Sequence, residues 1–167
     1  MKKLFNKKYL LIFIIVIAVL FIFSFFMINR GRIYTKGIKV YYRTYTKEKG
    51  WSKWSKNGQV SGDKKHNIIA AQMKVKSKSH GYIFYNVYSD DWQLNNCYDE
   101  IICGNIKTNN SINRLKVVLS DTLYKRFKTN YRIYDKKWSN YSSDFDESGK
   151  KNNIKAIQIK VVDREGK

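Results

Sequence analysis

An all-β domain of three repeats, preceded by one membrane-spanning helix, is the architecture this sequence predicts. Three observations carry it. After residue 37, apolar and polar residues alternate at the period of a half-buried strand. A pattern of two tyrosines, a tryptophan and a glycine recurs three times. Residues 9–29 hold no charged side chain, a run of 21 positions that is long enough to cross a bilayer as a helix.

The N-terminal elements come first. Residues 1–8 carry four lysines and read as a cytoplasmic tail. Basic residues ahead of an apolar span favour an inside N-terminus. The run 9–29 ends in Phe25, Phe26, Met27, Ile28 and Asn29, with no small-residue cleavage site, so it reads as an uncleaved anchor rather than a signal peptide. Residues 30–37 are a linker. The expected location is the cell membrane, single-pass, with the domain 38–163 outside.

Within that domain the repeats span about 38–79, 80–121 and 122–163. Each opens on an aromatic strand: VYYRTYT (40–46), IFYNVYS (83–89) and YRIYD (131–135). The recurring sets are Tyr42, Tyr45, Trp51; Tyr85, Tyr88, Trp92; and Tyr131, Tyr134, Trp138. Gly62, Gly104 and Gly149 follow the Trp by 11, 12 and 11 positions. An alternating strand closes each unit: Ala71, Met73, Val75; Leu115, Val117, Leu119; Ile157, Ile159, Val161. Units this short cannot bury a face alone, which implies closure around a pseudo-threefold axis. A β-prism is the preferred arrangement and a β-trefoil the alternative.

The stretch GWSKWSKNGQVSG (50–62), followed by NIIAAQMKV (67–75), resembles the clostridial hydrophobic repeat with tryptophan. The third unit is similar in NIKAIQIKV and in WSNYSSDFDESG, which keeps Trp138, Tyr141 and Gly149. The second unit departs most, with Asn95 at the place of the second aromatic. Ile69, Asn113 and Lys155 stand where the family has a strand Glu. The resemblance covers residues 38–163. It implies a cell-surface module of low-GC Gram-positive bacteria, acting in adhesion or in binding polysaccharide or protein.

Equivalence across the units assigns Trp51, Trp92 and Trp138 to the repeat core. The second aromatics, Trp54 and Tyr141, are the candidate ligand platforms, with Lys53 and Lys56 beside the first. An exposed ring next to polar donors suits the apolar face of a sugar. Asn57 and Gly58 form a hairpin turn, Gly supplying positive φ.

Charge bounds the partners. The whole chain carries +20; removing the four lysines before residue 30 leaves 29 basic against 13 acidic residues, or +16. Such an excess attracts polyanions. A surface polysaccharide or anionic wall polymer is the expected partner, with a partner protein as the alternative. Basic residues interleaved with aromatics also describe single-strand binders. Lys outnumbers Arg and no nucleic-acid motif is present, so nucleic acid is not the expected partner.

Catalysis finds little support. His66 and His80 are the only histidines, and His66 sits in the turn DKKHN. Asp144, Asp146 and Glu147 lack the spacing of a calcium loop. The pairs Asp90–Asp91 and Asp99–Glu100 read as solvated acids, and a cryptic wall hydrolase is the third reading. No phosphate loop, nucleophile elbow or metal motif occurs, so no cofactor and no metal is expected. Cys97 and Cys103 flank the divergent loop of the second unit. Outside the cell they are either bridged or two unpaired thiols.

Overall fold

The computed structural model describes residues 15–20, 37–90 and 93–164. Residues 15–20 are helical and exposed. No helix among the described residues is long and apolar enough to cross a membrane. The rest of the run 9–29, and the tail before it, lie outside the described residues.

From residue 38 onward the chain is β, in three antiparallel sheets. The first repeat gives β1 (Ile38–Thr46), β2 (Gly50–Trp51), β3 (Ser55–Lys56), β4 (Val60–Gly62) and β5 (Ile68–Ser77). The second gives β6 (Ile83–Tyr88), β7 (Gln93–Tyr98), β8 (Cys103–Gly104) and β9 (Arg114–Leu119). A short helix, α1 (Asp121–Arg126), leads to β10 (Phe127–Tyr134), β11 (Ser142–Ser143), β12 (Ser148–Gly149) and β13 (Ala156–Asp163). Each sheet is built on one long pair from one repeat: β1 with β5, β6 with β9, and β10 with β13.

The sheets are linked by exchange. The short strand of each repeat pairs with the long strand of its neighbour: β8 on β5, β12 on β9, and β4 on β13. The last of these joins the first repeat to the third, so the exchange closes on itself. A ring of three backbone hydrogen bonds marks its centre. Ile68 N–H donates to Ile154 O, Ile154 N–H to Ile112 O, and Ile112 N–H to Ile68 O, each at 2.8 Å. All three isoleucines are buried.

Alternation along each long strand decides what faces the core. In β1, residues 38, 40, 42, 44 and 46 are buried, and the residues between them are not. Tyr42, Tyr85 and Tyr131 occupy equivalent inward positions and are fully buried. Each hydroxyl joins two repeats. Tyr42 donates to Gln59 O and accepts from Ile159 N–H at 3.0 Å. Tyr85 donates to Ile101 O and accepts from Met73 N–H at 3.2 Å. Tyr131 donates to Asp144 O at 2.7 Å and to Asp146 O, and hydrogen-bonds the Val117 backbone.

This corrects the placement of the tryptophans. Trp51 and Trp138 are half-buried and lie on the outer faces. Tyr42 and Tyr45 are three apart on one strand, so they point to opposite faces. Trp51 pairs with Tyr45, and Trp138 bridges to Tyr134, so both rings follow the outward tyrosine. Trp92 lies outside the described residues.

Cys97 and Cys103 form a disulfide, with Cα atoms 5.9 Å apart. They stand where the sister repeats carry Ser55 with Ser61 and Ser142 with Ser148. The bridge replaces a hydroxyl network. In the first repeat Ser61 Oγ lies 3.0 Å from Ser52 Oγ and 3.1 Å from Thr44 Oγ1. In the third, Ser139 and Ser148 lie 3.3 Å apart.

Candidate functional site

Two of the three sheets carry the same cation–aromatic ladder on their outer face. In the first repeat the Arg43 guanidinium carbon is 4.7 Å from the ring centres of both Trp51 and Trp54. Lys74 Nζ is 4.4 Å from the Trp54 centre. Arg43 Nε donates to Gln72 Oε1 at 2.7 Å, which fixes the fork. Tyr45 meets Trp51 edge-on at 5.3 Å.

The third repeat repeats this geometry to within about 0.1 Å. Arg132 is 4.6 Å from Trp138 and 4.7 Å from Tyr141. Lys160 Nζ is 4.4 Å from Tyr141, and Arg132 Nε donates to Gln158 Oε1 at 2.7 Å. Tyr134 meets Trp138 edge-on at 5.4 Å. Lys74 is paired with Glu100 at 2.7 Å, whereas Lys160 makes no ion pair among the described residues. Cations so placed over aromatic faces are held in one orientation at the surface.

Beside each ladder runs a cleft, and the two clefts are built from equivalent positions. The first, about 360 Å³, is lined by Trp51, Ser52, Lys53, Ser55, Ser61 and Gly62, with Lys49 and Asp63 at its rim. The second, about 390 Å³, is lined by Trp138, Ser139, Asn140, Ser142, Ser148 and Gly149, with Lys137, Lys150 and Lys151 at its rim. Each thus offers an indole wall, a floor of hydroxyls and a lysine rim.

Acids at the rims are held ionised. Burial works to raise the Asp63 carboxyl, but hydrogen bonds from His66 N–H, Lys49 Nζ at 2.9 Å, the His66 ring and Lys65 N–H outweigh it. The result lies well below the usual carboxylate range. Asp135 is lowered to about 2, first by Asn152 Nδ2 at 2.9 Å and then by the Lys136 N–H.

Of the expected ligand residues, Lys53 lines the first cleft, and Lys56 is exposed on β3 opposite Tyr41. Trp54 and Tyr141 lie inside the ladders, each already covered by two cations, rather than as bare platforms. Asn57 and Gly58 do form the turn, closed by Gln59 N–H to Lys56 O at 2.9 Å with Gly58 at φ +83°. Asn57 Oδ1 also accepts from Val161 N–H at 2.8 Å, which ties this turn to the third repeat.

The acidic residues have structural partners. Asp144 accepts from Thr129 N–H and pairs with Arg164 at 2.7 Å. Glu147 meets Arg114 at 3.5 Å, and Asp90 accepts from Asn113 Nδ2 at 2.6 Å. His66 Nδ1 lies 2.6 Å from Asp63 Oδ2. No group of three His, Cys, Asp or Glu side chains among the described residues could hold a metal ion.

Sequence reasoning missed Arg43, Gln72 and Lys74, and their counterparts Arg132, Gln158 and Lys160. The signal was present: all three types recur together, at positions fixed by the strand pairing, in two repeats of three. No protein-family model, curated protein or solved structure matches this chain.

Proposed function

We propose that this chain is a non-catalytic module displayed at the cell surface, where it binds an anionic glycan or another anionic wall polymer. In this reading residues 9–29 anchor it to the membrane with the N-terminus inside. The three exchanged sheets form a prism-like domain, and the repeats belong with the clostridial hydrophobic repeat with tryptophan. The observation that carries it is the duplication of ladder and cleft in the first and third repeats. Each copy sets fixed cations, an indole and hydroxyls along one exposed strip. Fixed cations meet the charge of the polymer, and the cleft accepts a sugar unit.

Retention of the full chain, in detergent micelles, on purified anionic wall polymer and on a glycan array tests this. Trp51→Ala combined with Trp138→Ala should abolish retention, and each single change should weaken it. Retention should also fall with added salt, as screened attraction requires. Retention that is equal for the double variant and the parent would defeat the reading.

A further inference from the structure

Among the described residues the sheet of the second repeat, built on β6 and β9, lacks the ladder, and what replaces it is a different kind of surface. Strand pairing puts Asn86 where the others have Arg43 and Arg132. It puts Val118 in place of Lys74 and Lys160, and Lys116 in place of Gln72 and Gln158. In the first two cases the glutamine holds a loop arriving from the neighbouring repeat: Gln72 donates to Glu100 O, and Gln158 to Gly58 O at 2.5 Å. The loop residue at that place over the second repeat's sheet is Phe145. It is 58% exposed, more than any other aromatic among the described residues.

Between Phe84, Asn86, Lys116, Val118 and Phe145 lies a cleft of about 290 Å³. Phe84 extends it into a cluster with Tyr82 and Tyr98, whose rings meet edge to face at 6.1–6.5 Å. Tyr82 and Tyr98 are 51% and 46% exposed. Lys116 makes no ion pair among the described residues. Large rings exposed together on one face mark a contact surface rather than a solvated one.

The geometry points to a docking site for an acidic segment of a partner protein, with an apolar side chain seated between Phe84, Val118 and Phe145 and a carboxylate on Lys116. Three observations choose this occupant. The cleft falls just below the roughly 300–1,000 Å³ of sites that enclose a small molecule, and suits one large side chain. Its lining holds no serine or threonine, unlike the hydroxyl floor that the two clefts share. A second copy of this chain would bring +20 against +20, whereas an acidic segment is drawn in. This site is independent of the glycan reading, because it shares no residue with either ladder or cleft.

The test uses the full chain in micelles and a fluorescent synthetic decapeptide of alternating Phe and Glu. Two control peptides replace every Glu by Gln or every Phe by Ala. Saturable binding of the parent peptide is expected, about tenfold weaker or worse for each control. Phe145→Ala and Lys116→Gln should each weaken binding by about tenfold, with a single cooperative melt kept in both, since the first gives up only one ring contact, with Tyr124 at 5.7 Å. The first residue is exposed, and the second change installs the residue found at 72 and 158. Trp51→Ala with Trp138→Ala should leave peptide binding intact, which separates this site from the clefts. The proposal is overturned by no saturable binding, by a Gln control that binds as well as the parent, or by indifference to Phe145→Ala. It is overturned equally if Phe145 instead governs binding to phosphatidylglycerol vesicles or self-association in sedimentation.

Discussion

Tyr42, Tyr85 and Tyr131 show how much one hydroxyl can decide. Each is fully buried and hydrogen-bonded across a repeat boundary, so losing it leaves polar backbone groups without a partner. Tyr85→Phe strands Met73 N–H and Ile101 O and should cost about 1–3 kcal/mol in a denaturant melt. The same burial sets a pH limit. Burial, ahead of the backbone hydrogen bond with Met73, raises Tyr85 to about 12 from an ordinary 10.0, and Tyr42 and Tyr131 are raised further. A raised folded value means the stabilisation is complete below pH 10 and is lost as pH climbs through 12. Tyrosinate absorbance should therefore show these three titrating together with unfolding. The ladders make a second prediction at this scale. Trp54→Ala loses its contacts with Arg43 and Lys74, and Trp51→Ala loses Arg43 and Tyr45. At about 0.5–1 kcal/mol per contact, each should cost about 1–2 kcal/mol, and the two melts should nearly coincide. The sequence shows that Trp51 and Trp138 are equivalent, but equivalence says nothing about burial. A ladder repeats as faithfully as a core, and only the parity of Tyr42 against Tyr45 distinguishes them. That parity needs to know which tyrosine faces inward, and both are aromatic.

At the scale of elements, the glycine of each short strand is what permits the exchange. A side chain at Gly104 would drive Cβ into Ile69 O and the Ala70 backbone, and Gly62 and Gly149 meet their neighbours in the same way. Gly104 also sits at φ +118°. Gly104→Ala should therefore cost about 2–5 kcal/mol, from overpacking and left-handed strain together. Gly58→Ala meets open space and carries the strain alone, so it should cost about 1–2 kcal/mol. Near-equal melts for the two would refute the close approach. These glycines, the long strands and the three-unit plan were legible, because alternation and turn residues report local backbone needs directly. The spacing of 12 from Trp92 to Gly104, against 11 elsewhere, also has a physical meaning. Strand pairing sets Gln93 opposite Tyr88, where Trp51 faces Tyr45 and Trp138 faces Tyr134, and Gln93 precedes Gly104 by 11. The swap of short strands was not legible, since nothing in a repeat's own residues states which neighbour it will pair with. The cysteine pair was open for a related reason. Its role appears only when Cys97 and Cys103 are set upon Ser55 and Ser61, and Val87 upon Thr44, whose hydroxyl reaches Ser61.

For the whole molecule, the exchange predicts a closed ring in chain terms as well as in space. Two repeat-to-repeat connections are present: residues 78–82 from β5 to β6, and residues 120–126 from β9 to β10. The third would run from the end of β13 to the start of β1, and β4 on β13 already holds the first and third repeats together there. A chain permuted by joining residue 164 to residue 37 through about six Gly and Ser residues supplies that connection. New ends between Lys78 and Ser79 open an exposed link that holds no strand. Every sheet keeps its long pair and its borrowed short strand, so the permuted domain should fold with the same three sheets. Its melt should stay a single transition, because no repeat can leave without stripping a strand from its neighbour and breaking the Ile68–Ile112–Ile154 ring. Stability should differ from the parent domain by about 1–2 kcal/mol, the scale of changing one loop closure. Far-ultraviolet dichroism and a denaturant melt decide the matter. Two separate transitions, or a permuted chain that fails to fold while the parent domain 37–164 folds, would show that the repeats do not form a closed exchange.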